Sequence, residues 1–215
     1  MSVETTQEIG MSKRITDYRR LREEIPRSVR AINPSPKRWL DTGCGMGGSV
    51  RLSVESFPDT VFTLSDPMHE NIQEAKNSYK GGRFSFFVAR TDELDCPDGS
   101  FDVITSILSS HYYPDRDSKL KAFRNCHRML SAGGAFILVE HTRHNDQKKA
   151  DSDWEAYMRS QGLSEESIRE MFDRRDTVYF PYTEEDLIAI LEEAGFRDTS
   201  VFWSTCSDIG LICRK

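Results

Sequence analysis

Apolar residues near the start of the chain recur at steps of three and four positions. They are Ile15, Tyr18, Leu21, Ile25, Val29 and Ile32. This spacing predicts an amphipathic helix over 13–32, which Pro26 kinks or divides. The segment 33–36, Asn-Pro-Ser-Pro, ends the pattern and is expected to separate this helix from the core domain.

After this break, short apolar runs alternate with helical patterns. The predicted strands are 38–42, 61–66, 84–90, 101–107 and 135–141, and the predicted helices are 49–57, 68–79 and 117–130. A turn at 131–134 leads into the fifth strand. Strands alternating with helices at this spacing imply right-handed crossovers, and therefore a mostly parallel sheet with helices on both faces.

The segment 142–182 interrupts the alternation with polar, helix-prone sequence. Helices are predicted over 151–162 and from a capping signature at Ser164. A further helix has Thr183 as its N-cap and Gly195 as its stop. Two apolar strands, 199–206 and 209–215, follow. The joint of Ser207 and Asp208 is too short for a parallel crossover, so these strands are expected to pair antiparallel.

The stretch "RWLDTGCGMGGSV" follows the first predicted strand and contains the spacing G-x-G-x-x-G at Gly43, Gly45 and Gly48. Such a turn can bind a dinucleotide pyrophosphate at a helix N-terminus. Asp41, two residues before the first glycine, would place a like charge beside that pyrophosphate. A ligand with cationic groups, such as the sulfonium and ammonium of S-adenosylmethionine, suits this position better. The antiparallel terminal pair also argues against a dinucleotide-binding sheet.

Composition and net charge narrow the possible domain number, binding partners and compartment. A chain of 215 residues is most simply one domain, and its net charge of -6 argues against general binding to nucleic acid. The basic residues between Lys13 and Arg30 are interpreted as a solvated helix face. The five cysteines form no C-x-x-C pair, so we expect buried free thiols and no metal site. No apolar run has the length of a membrane span and no signal peptide is recognisable, which predicts a cytoplasmic protein without a membrane partner.

Five motifs in order resemble those of class I S-adenosylmethionine-dependent methyltransferases, from about Arg38 onward. They are "LDTGCGMG", the acidic residue Asp66 after the second strand, "PDGSFDVITSILSSHYYPD", "HRMLSAGGAFILVEH" and "FPYTEEDLIAILEEAGFRDTSVF". The resemblance implies an α/β fold with a Rossmann-like seven-stranded sheet of order 3-2-1-4-5-7-6. Strand 7 would be antiparallel, and a helical insert would follow strand 5.

The resemblance also implies S-adenosylmethionine as cofactor and S-adenosylhomocysteine as product. The implied cofactor-binding residues are Asp41, Gly43, Cys44, Gly45, Asp66, Pro67, Met68, Thr91, Asp92, Ser106 and Ile107. The two glycines would approach the methionyl part, and a backbone carbonyl of Ser106 or Ile107 would accept from its ammonium.

Asp66 would accept from the ribose hydroxyls, or else would be a helix N-cap. Met68 and Ile107 would enclose the adenine, or else belong to the core. Arg90 stands where the family commonly has an acidic residue. Because arginine cannot accept a hydrogen bond, Asp92 is expected to take over that role.

Candidates for a general base follow the fourth strand in "SSHYY", namely His111 and Tyr112. For His111, a role in orienting the loop is the favoured alternative. Further polar candidates for the acceptor pocket are Tyr113, Glu140, His141, Arg143 and His144. The aromatic residues of the insert either belong to the core or form a lid that suggests a small or planar organic acceptor. The segment "SILS" stands where methylases of nucleobase amino groups carry an N-P-P-Y signature.

These observations predict an N-terminal helical lid, 1–33, and a methyltransferase domain, 34–215, whose insert 142–182 forms the acceptor pocket. The leading hypothesis is methyl transfer to a small organic molecule. Two alternatives remain: modification of a tRNA base or use of a carboxylated S-adenosylmethionine, and a cofactor-binding regulatory module without catalysis. The acceptor and the oligomeric state are left open.

Overall fold

The computed structural model of the chain describes residues 6–215. It contains the strands β1 (Arg38–Thr42), β2 (Val61–Asp66), β3 (Phe84–Val88), β4 (Phe101–Ile107), β5 (Leu130–Arg143), β6 (Tyr182–Thr183), β7 (Arg197–Ser204) and β8 (Asp208–Arg214). The helices are α1 (Thr6–Arg14), α2 (Tyr18–Ile32), α3 (Arg51–Ser56), α4 (His69–Ser78), α5 (Arg116–Met129), α6 (Gln147–Ser160), α7 (Glu165–Asp173) and α8 (Glu184–Glu193). A short 3₁₀ turn, Ser110–Tyr112, follows β4.

The strands form a sheet of order β3-β2-β1-β4-β5-β8-β7, and the two-residue strand β6 pairs with β5 outside this path. β8 runs antiparallel to both β5 and β7, whereas the first five strands are mutually parallel. Without β6, this is the predicted order 3-2-1-4-5-7-6 with a reversed seventh strand. The predicted fold is confirmed.

Two apolar layers cover the sheet because successive side chains of a strand point to opposite faces. Trp39, Val103 and Ile137 pack in one layer together with the apolar stripe of α2. Their sequence neighbours Leu40, Ile104 and Leu138 pack in the other, against α5 and α8. The central strands β1 and β4 are therefore buried on both faces, as expected for parallel strands covered by helices on both sides.

The N-terminal segment differs from its prediction. The chain breaks at Asp17, whose φ is 54°, and not at Pro26. α2 continues through Pro26, and its residues Leu21, Ile25 and Val29 are fully buried.

Two boundaries also differ from prediction. The segment 131–134 is not a turn, because β5 begins at Leu130 and its pairing with β4 shifts between Phe101 and Val103. Gly133, with φ of 73°, lies in this bulge. The first helix of the insert begins earlier than predicted, at Gln147, because the Asp146 side chain accepts from the Lys149 N–H at 3.0 Å.

The helix ends predicted from capping residues are confirmed. The hydroxyl groups of Ser164 and Thr183 accept from backbone N–H groups three residues later and begin α7 and α8. Gly195, with φ of 106°, ends α8.

All five cysteines are free, and all but the half-buried Cys206 are buried. Of the helices within 6–215, none is long and apolar enough to cross a membrane.

Candidate active site

A cavity of about 530 Å³ lies at the carboxyl ends of β1, β2 and β4, where open α/β sheets place their ligands. It is lined by Met11, Tyr18, Gly43, Cys44, Gly45, Gly48, Ser49, Asp66, Pro67, Met68, Asn71, Arg90, Thr91, Ile107, Leu108, Ser109, Tyr112, Tyr113 and Arg174. Most of the residues expected at a cofactor site therefore share one cavity. Asp41, Asp92, Ser106 and His111 do not line it.

The glycine loop after β1 is shaped by two close approaches. Gly43 has a φ of 66°, and a Cβ added there would lie 2.3 Å from the Ser109 Cβ. Gly47 has a φ of 84°, and a Cβ there would lie 2.5 Å from the Tyr79 ring. Any side chain at these two positions would both strain the backbone and collide. These two close approaches fix the course of the loop along the cavity wall.

Asp66 lies in the cavity wall at the end of β2. Its carboxylate accepts three hydrogen bonds of 2.9 Å, from the backbone N–H groups of Gly45 and Met68 and from the Asn71 amide. The N-cap position of α4 is Met68, so Asp66 is not the cap residue of this helix. One carboxylate thus connects the glycine loop with the start of α4 while facing the cavity.

Asp41 lies behind the glycine loop and is only 1% exposed. The Thr105 hydroxyl donates to it at 2.6 Å, and the hydroxyl of Ser49, a wall residue, donates at 3.4 Å. Burial raises the pKa of Asp41 to about 7 despite these two donors, and the negative charge of Asp66 adds to the effect. Among the described residues, no cation is paired with this carboxyl group to stabilise its charged form.

The expected adenine side of the cavity combines an exposed and a buried side chain. Met68 is 57% exposed at the rim and Ile107 is buried in the wall. Arg90 and Thr91 line the cavity beside them. The Arg90 guanidinium lies 4.9 Å from the centre of the Tyr113 ring and is bound to Asp92 at 3.0 Å.

Asp92 itself points away into a surface network. Besides Arg90, the hydroxyl of Tyr113 donates to it at 3.0 Å and Lys121 at 3.1 Å. These donors lower the pKa of Asp92 and outweigh its partial burial. Ser106 is also behind the wall, because its hydroxyl is hydrogen-bonded to that of Ser109 at 2.8 Å. Neither side chain faces a ligand in the cavity.

The loop after β4 carries a strained residue. Leu108 has a φ of 53°, a conformation that non-glycine residues rarely adopt, and its N–H donates to the Val139 carbonyl at 2.7 Å. Strain of this kind collects at sites where a side chain must be held in one place. It directs Leu108, Ser109 and Tyr112 into the cavity wall, with Tyr112 52% exposed.

His111 lies behind that wall. Its ring stacks on His141, with 4.7 Å between ring centres, and also contacts Tyr112 and Tyr179. Burial, reinforced by the neighbouring His141 and Lys119, lowers the pKa of His111 well below its usual value. The structure therefore gives His111 a packed, uncharged ring without access to the cavity.

A fully buried ion pair anchors the turn that contains His111. Lys119 Nζ lies 2.6 Å from Glu140 Oε2 and donates to the Ser110 carbonyl at 2.7 Å. The Ser110 hydroxyl donates to the other oxygen of Glu140. Glu140, expected in the acceptor pocket, thus holds the 3₁₀ turn onto β5.

The side chains of two further polar candidates are also engaged, and His144 is held through its backbone. His141 Nδ1 lies 2.7 Å from the buried carboxylate of Asp208, and Arg143 is paired with Asp176. The backbone N–H of His144 donates to Gln147 at 3.0 Å. Among the described residues, no group of three or more His, Cys, Asp or Glu side chains is arranged to hold a metal ion.

Several wall residues were not among the predicted site residues, including Met11, Tyr18, Asn71 and Arg174. Tyr18 belongs to the apolar stripe of α2, and burial raises the pKa of its hydroxyl to about 12. Arg174 follows α7, where nothing in the local pattern distinguishes it from other surface arginines. Only the folding of the insert over the sheet brings it to the cavity.

Comparisons with known proteins agree with this geometry. The chain matches the family described as methyltransferase domain over residues 12–201. It is 29% identical over 104 residues to a fatty-acid O-methyltransferase of Mycolicibacterium smegmatis, covering 48% of this chain and 37% of that protein. It is 27% identical over 173 residues to the carboxy-S-adenosyl-L-methionine synthase of Campylobacter concisus, covering 77% of this chain and 72% of the relative.

Among solved structures, human N-acetylserotonin methyltransferase in complex with S-adenosylmethionine superposes with a TM-score of 0.62 at 16% identity. The match covers 98% of this chain and 60% of the human one. The chain spans between about a third and a half of the length of the first curated relatives it matches. The matched family, the five ordered motifs and the sheet order agree, and the chain belongs to the class I S-adenosylmethionine-dependent methyltransferases.

Proposed function

We propose that the protein transfers the methyl group of S-adenosylmethionine to a small organic acceptor bound in the same cavity. When bound, S-adenosylmethionine would supply an electrophilic sulfonium methyl group for the acceptor's electron pair, and S-adenosylhomocysteine would be the product that keeps the sulfur–carbon electron pair. The observation that carries the proposal is the joint wall, in which the glycine loop and Asp66 face the aromatic side chains of Tyr18 and Tyr112.

The residues present fit this cofactor. The backbone of Gly43, a residue of the cavity wall, packs so closely against Ser109 that a Cβ would lie 2.3 Å from the Ser109 Cβ, so the loop needs glycine at this position. Asp66 offers two carboxylate oxygens to a vicinal diol, and its internal donors Gly45 and Asn71 keep those oxygens in place. Asp41 lacks a cation and lies beneath the loop, which suits a positively charged ligand better than a pyrophosphate.

The wall after β4 would hold the acceptor. Positioning and exclusion of water account for much of the acceleration of such a displacement. Tyr112 is the exposed polar group of this loop and is our candidate for accepting or orienting an acceptor proton. We assign His111 a positioning role, because its ring packs against His141 and Tyr179 behind the wall.

Calorimetric titration tests the cofactor assignment. We expect S-adenosylmethionine and S-adenosylhomocysteine to bind and NAD not to bind. Tight binding of NAD without a response to S-adenosylhomocysteine would refute the proposed function. A screen of small phenols, amines and carboxylic acids for release of S-adenosylhomocysteine would then identify the acceptor class.

The N-terminal lid is proposed in a narrower form. α2 inserts its apolar stripe into the main core, whereas α1 contributes Met11 to the cavity wall and contacts α6 of the insert through Trp154 and Tyr157. We therefore propose that α1 alone is the lid. Deleting residues 1–14 should leave a folded protein with weaker cofactor binding. Loss of cooperative unfolding in this variant would instead make α1 part of the core.

The length of the similarity to one relative suggests a second candidate function. The similarity to the Campylobacter concisus carboxy-S-adenosyl-L-methionine synthase extends over 77% of this chain. In that case the product would be a carboxylated cofactor. Mass spectrometry of the nucleoside product distinguishes the two candidates, since methyl transfer yields S-adenosylhomocysteine and the alternative does not.

A further inference from the structure

One cation in the cavity wall stands apart from the other charged groups of the site. Arg174 follows α7 in the insert, its side chain is exposed, and it lines the cavity. Among the described residues, no acidic side chain is within ion-pair distance of its guanidinium and no hydrogen bond engages it. The neighbouring arginines differ: Arg175 is bound to Asp151 at 2.6 Å, and Arg143 is paired with Asp176.

The backbone holds Arg174 in place. Its N–H donates to the Glu170 carbonyl at 3.2 Å. Its own carbonyl accepts from the N–H groups of Thr177, Val178 and Tyr179, at 3.3, 2.8 and 3.1 Å. The anchored backbone fixes the point from which the side chain extends, so binding an anion has to order the side chain but not the turn.

Arg174 lies on the acceptor side of the cavity. It belongs to the insert after β5, whereas the glycine loop and Asp66 follow β1 and β2. Its charge reaches His111, in the turn that also carries the wall residue Tyr112. The other arginine of the wall, Arg90, is already bound to Asp92.

Resting on the proposed methyl transfer, we propose that the acceptor is a carboxylic acid whose carboxylate binds Arg174, with its apolar or aromatic body against Tyr112 and Leu108. A planar guanidinium can donate two parallel hydrogen bonds to a carboxylate, which fixes orientation as well as charge. The carboxylate is the anchor, and the body of the molecule carries the methyl-accepting atom toward the cofactor. The anionic acceptor and the cationic cofactor are thereby attracted to opposite ends of one cavity.

The test compares acids with their neutral, similarly shaped amides. Protein loaded with S-adenosylhomocysteine is titrated calorimetrically with phenylacetate, para-hydroxybenzoate and decanoate, and with the corresponding primary amides. We expect at least one acid to bind about tenfold or more tightly than its amide, the scale for hydrogen bonds between charged groups. Arg174→Gln should abolish this preference, and Arg174→Lys should retain part of it.

Arg169→Gln is the matched control, because Arg169 is an exposed arginine of α7 that does not line the cavity. It should leave the preference for acids intact. If no acid binds more tightly than its amide, or if the preference survives in Arg174→Gln, the inference is wrong. It is also wrong if Arg174→Gln weakens binding of S-adenosylhomocysteine instead, since Arg174 would then hold the cofactor's carboxylate. Failure of S-adenosylhomocysteine to bind to the unaltered protein would contradict the proposed function itself.

Discussion

Among the carboxylates buried in the sheet, Asp41 on β1 and Glu140 on β5 have opposite surroundings. Glu140 has a cation at 2.6 Å in Lys119 and a hydroxyl donor in Ser110. Within residues 6–215, the donors to Asp41 are the hydroxyl groups of Thr105 and Ser49, and burial raises its pKa to about 7. A buried charge is tolerated when it is paired and costly when it is not. The negative charge of Glu140 is thus compensated within the fold, whereas that of Asp41 is left for a cationic ligand to compensate.

The largest expected effect comes from breaking the complete pair. Lys119→Met leaves the Glu140 carboxylate buried without its cation, and should reduce the free energy of unfolding by about 3–5 kcal/mol. Equilibrium denaturation in urea measures this. Replacing both partners, Lys119→Met with Glu140→Leu, should recover much of the loss, because no uncompensated charge remains.

The control is Lys121→Met on the same helix. Lys121 is exposed and pairs with Asp92 at the surface, so its loss should cost less than about 1 kcal/mol. Equal losses for Lys119→Met and Lys121→Met would show that burial of the pair is irrelevant to its contribution.

Asp66 extends the comparison of carboxylates to one that lines the cavity itself. Asp66→Ala should weaken binding of S-adenosylhomocysteine by roughly 2 kcal/mol, the scale for hydrogen bonds to a charged acceptor. Calorimetry measures the change, and Asp59→Ala, an exposed loop position, is the control. Unchanged affinity would mean that the ribose lies elsewhere.

For Asp41, the expected effect depends on pH. Between about pH 4 and pH 7 the folded protein holds a proton on Asp41 that the unfolded chain releases. This contribution to stability is fully present below the unfolded pKa and is lost as pH rises through about 7. Compared with Asp41→Asn, the ligand-free protein should therefore become steadily less stable across this window. Thermal unfolding of both proteins at several pH values checks the slope.

Cofactor binding should respond to Asp41 in the opposite direction. A cationic ligand favours the ionised carboxyl group, so affinity for S-adenosylmethionine should rise as pH passes through about 7. In Asp41→Asn the rise should be missing. An identical pH dependence of affinity in both proteins would show that Asp41 does not sense the cofactor's charge.

The smallest effect is expected at His111, which lies beside the Glu140 pair. His111→Phe keeps a ring to stack on His141 but cannot take up a proton. Because burial already keeps His111 uncharged, the pH–rate profile should keep its shape and the rate should fall by less than about a hundredfold. Loss of an ionisation from the profile would instead identify His111 as the base.

The parts of the fold that follow local patterns could be predicted from the sequence. Strand order, the reversed terminal pair and the caps at Ser164 and Thr183 depend on periodicity and short-range hydrogen bonds. The glycine loop and Asp66 were found because their spacing is set by backbone geometry.

Features that depend on distant contacts could not be predicted. The apolar spacing continues on both sides of Asp17, so the pattern gives no sign of the helix break there. It favours a break at Pro26 instead. Lys119 resembles any helix-surface lysine until β5 places Glu140 beside it. Arg174 reaches the cavity only because the insert folds back across the sheet edge. Each of these positions is decided by tertiary packing, for which a single sequence carries no local signal.

The position of β8 has a consequence for the order of events during synthesis. β8 follows every other strand in sequence yet lies inside the sheet, between β5 and β7. Until Asp208–Arg214 has been translated, β5 presents an unpaired edge of buried, apolar residues, a surface that invites pairing with other chains. The C-terminal strand therefore does more than extend the sheet, because it covers the edge of β5 that would otherwise be open to pairing with a second chain.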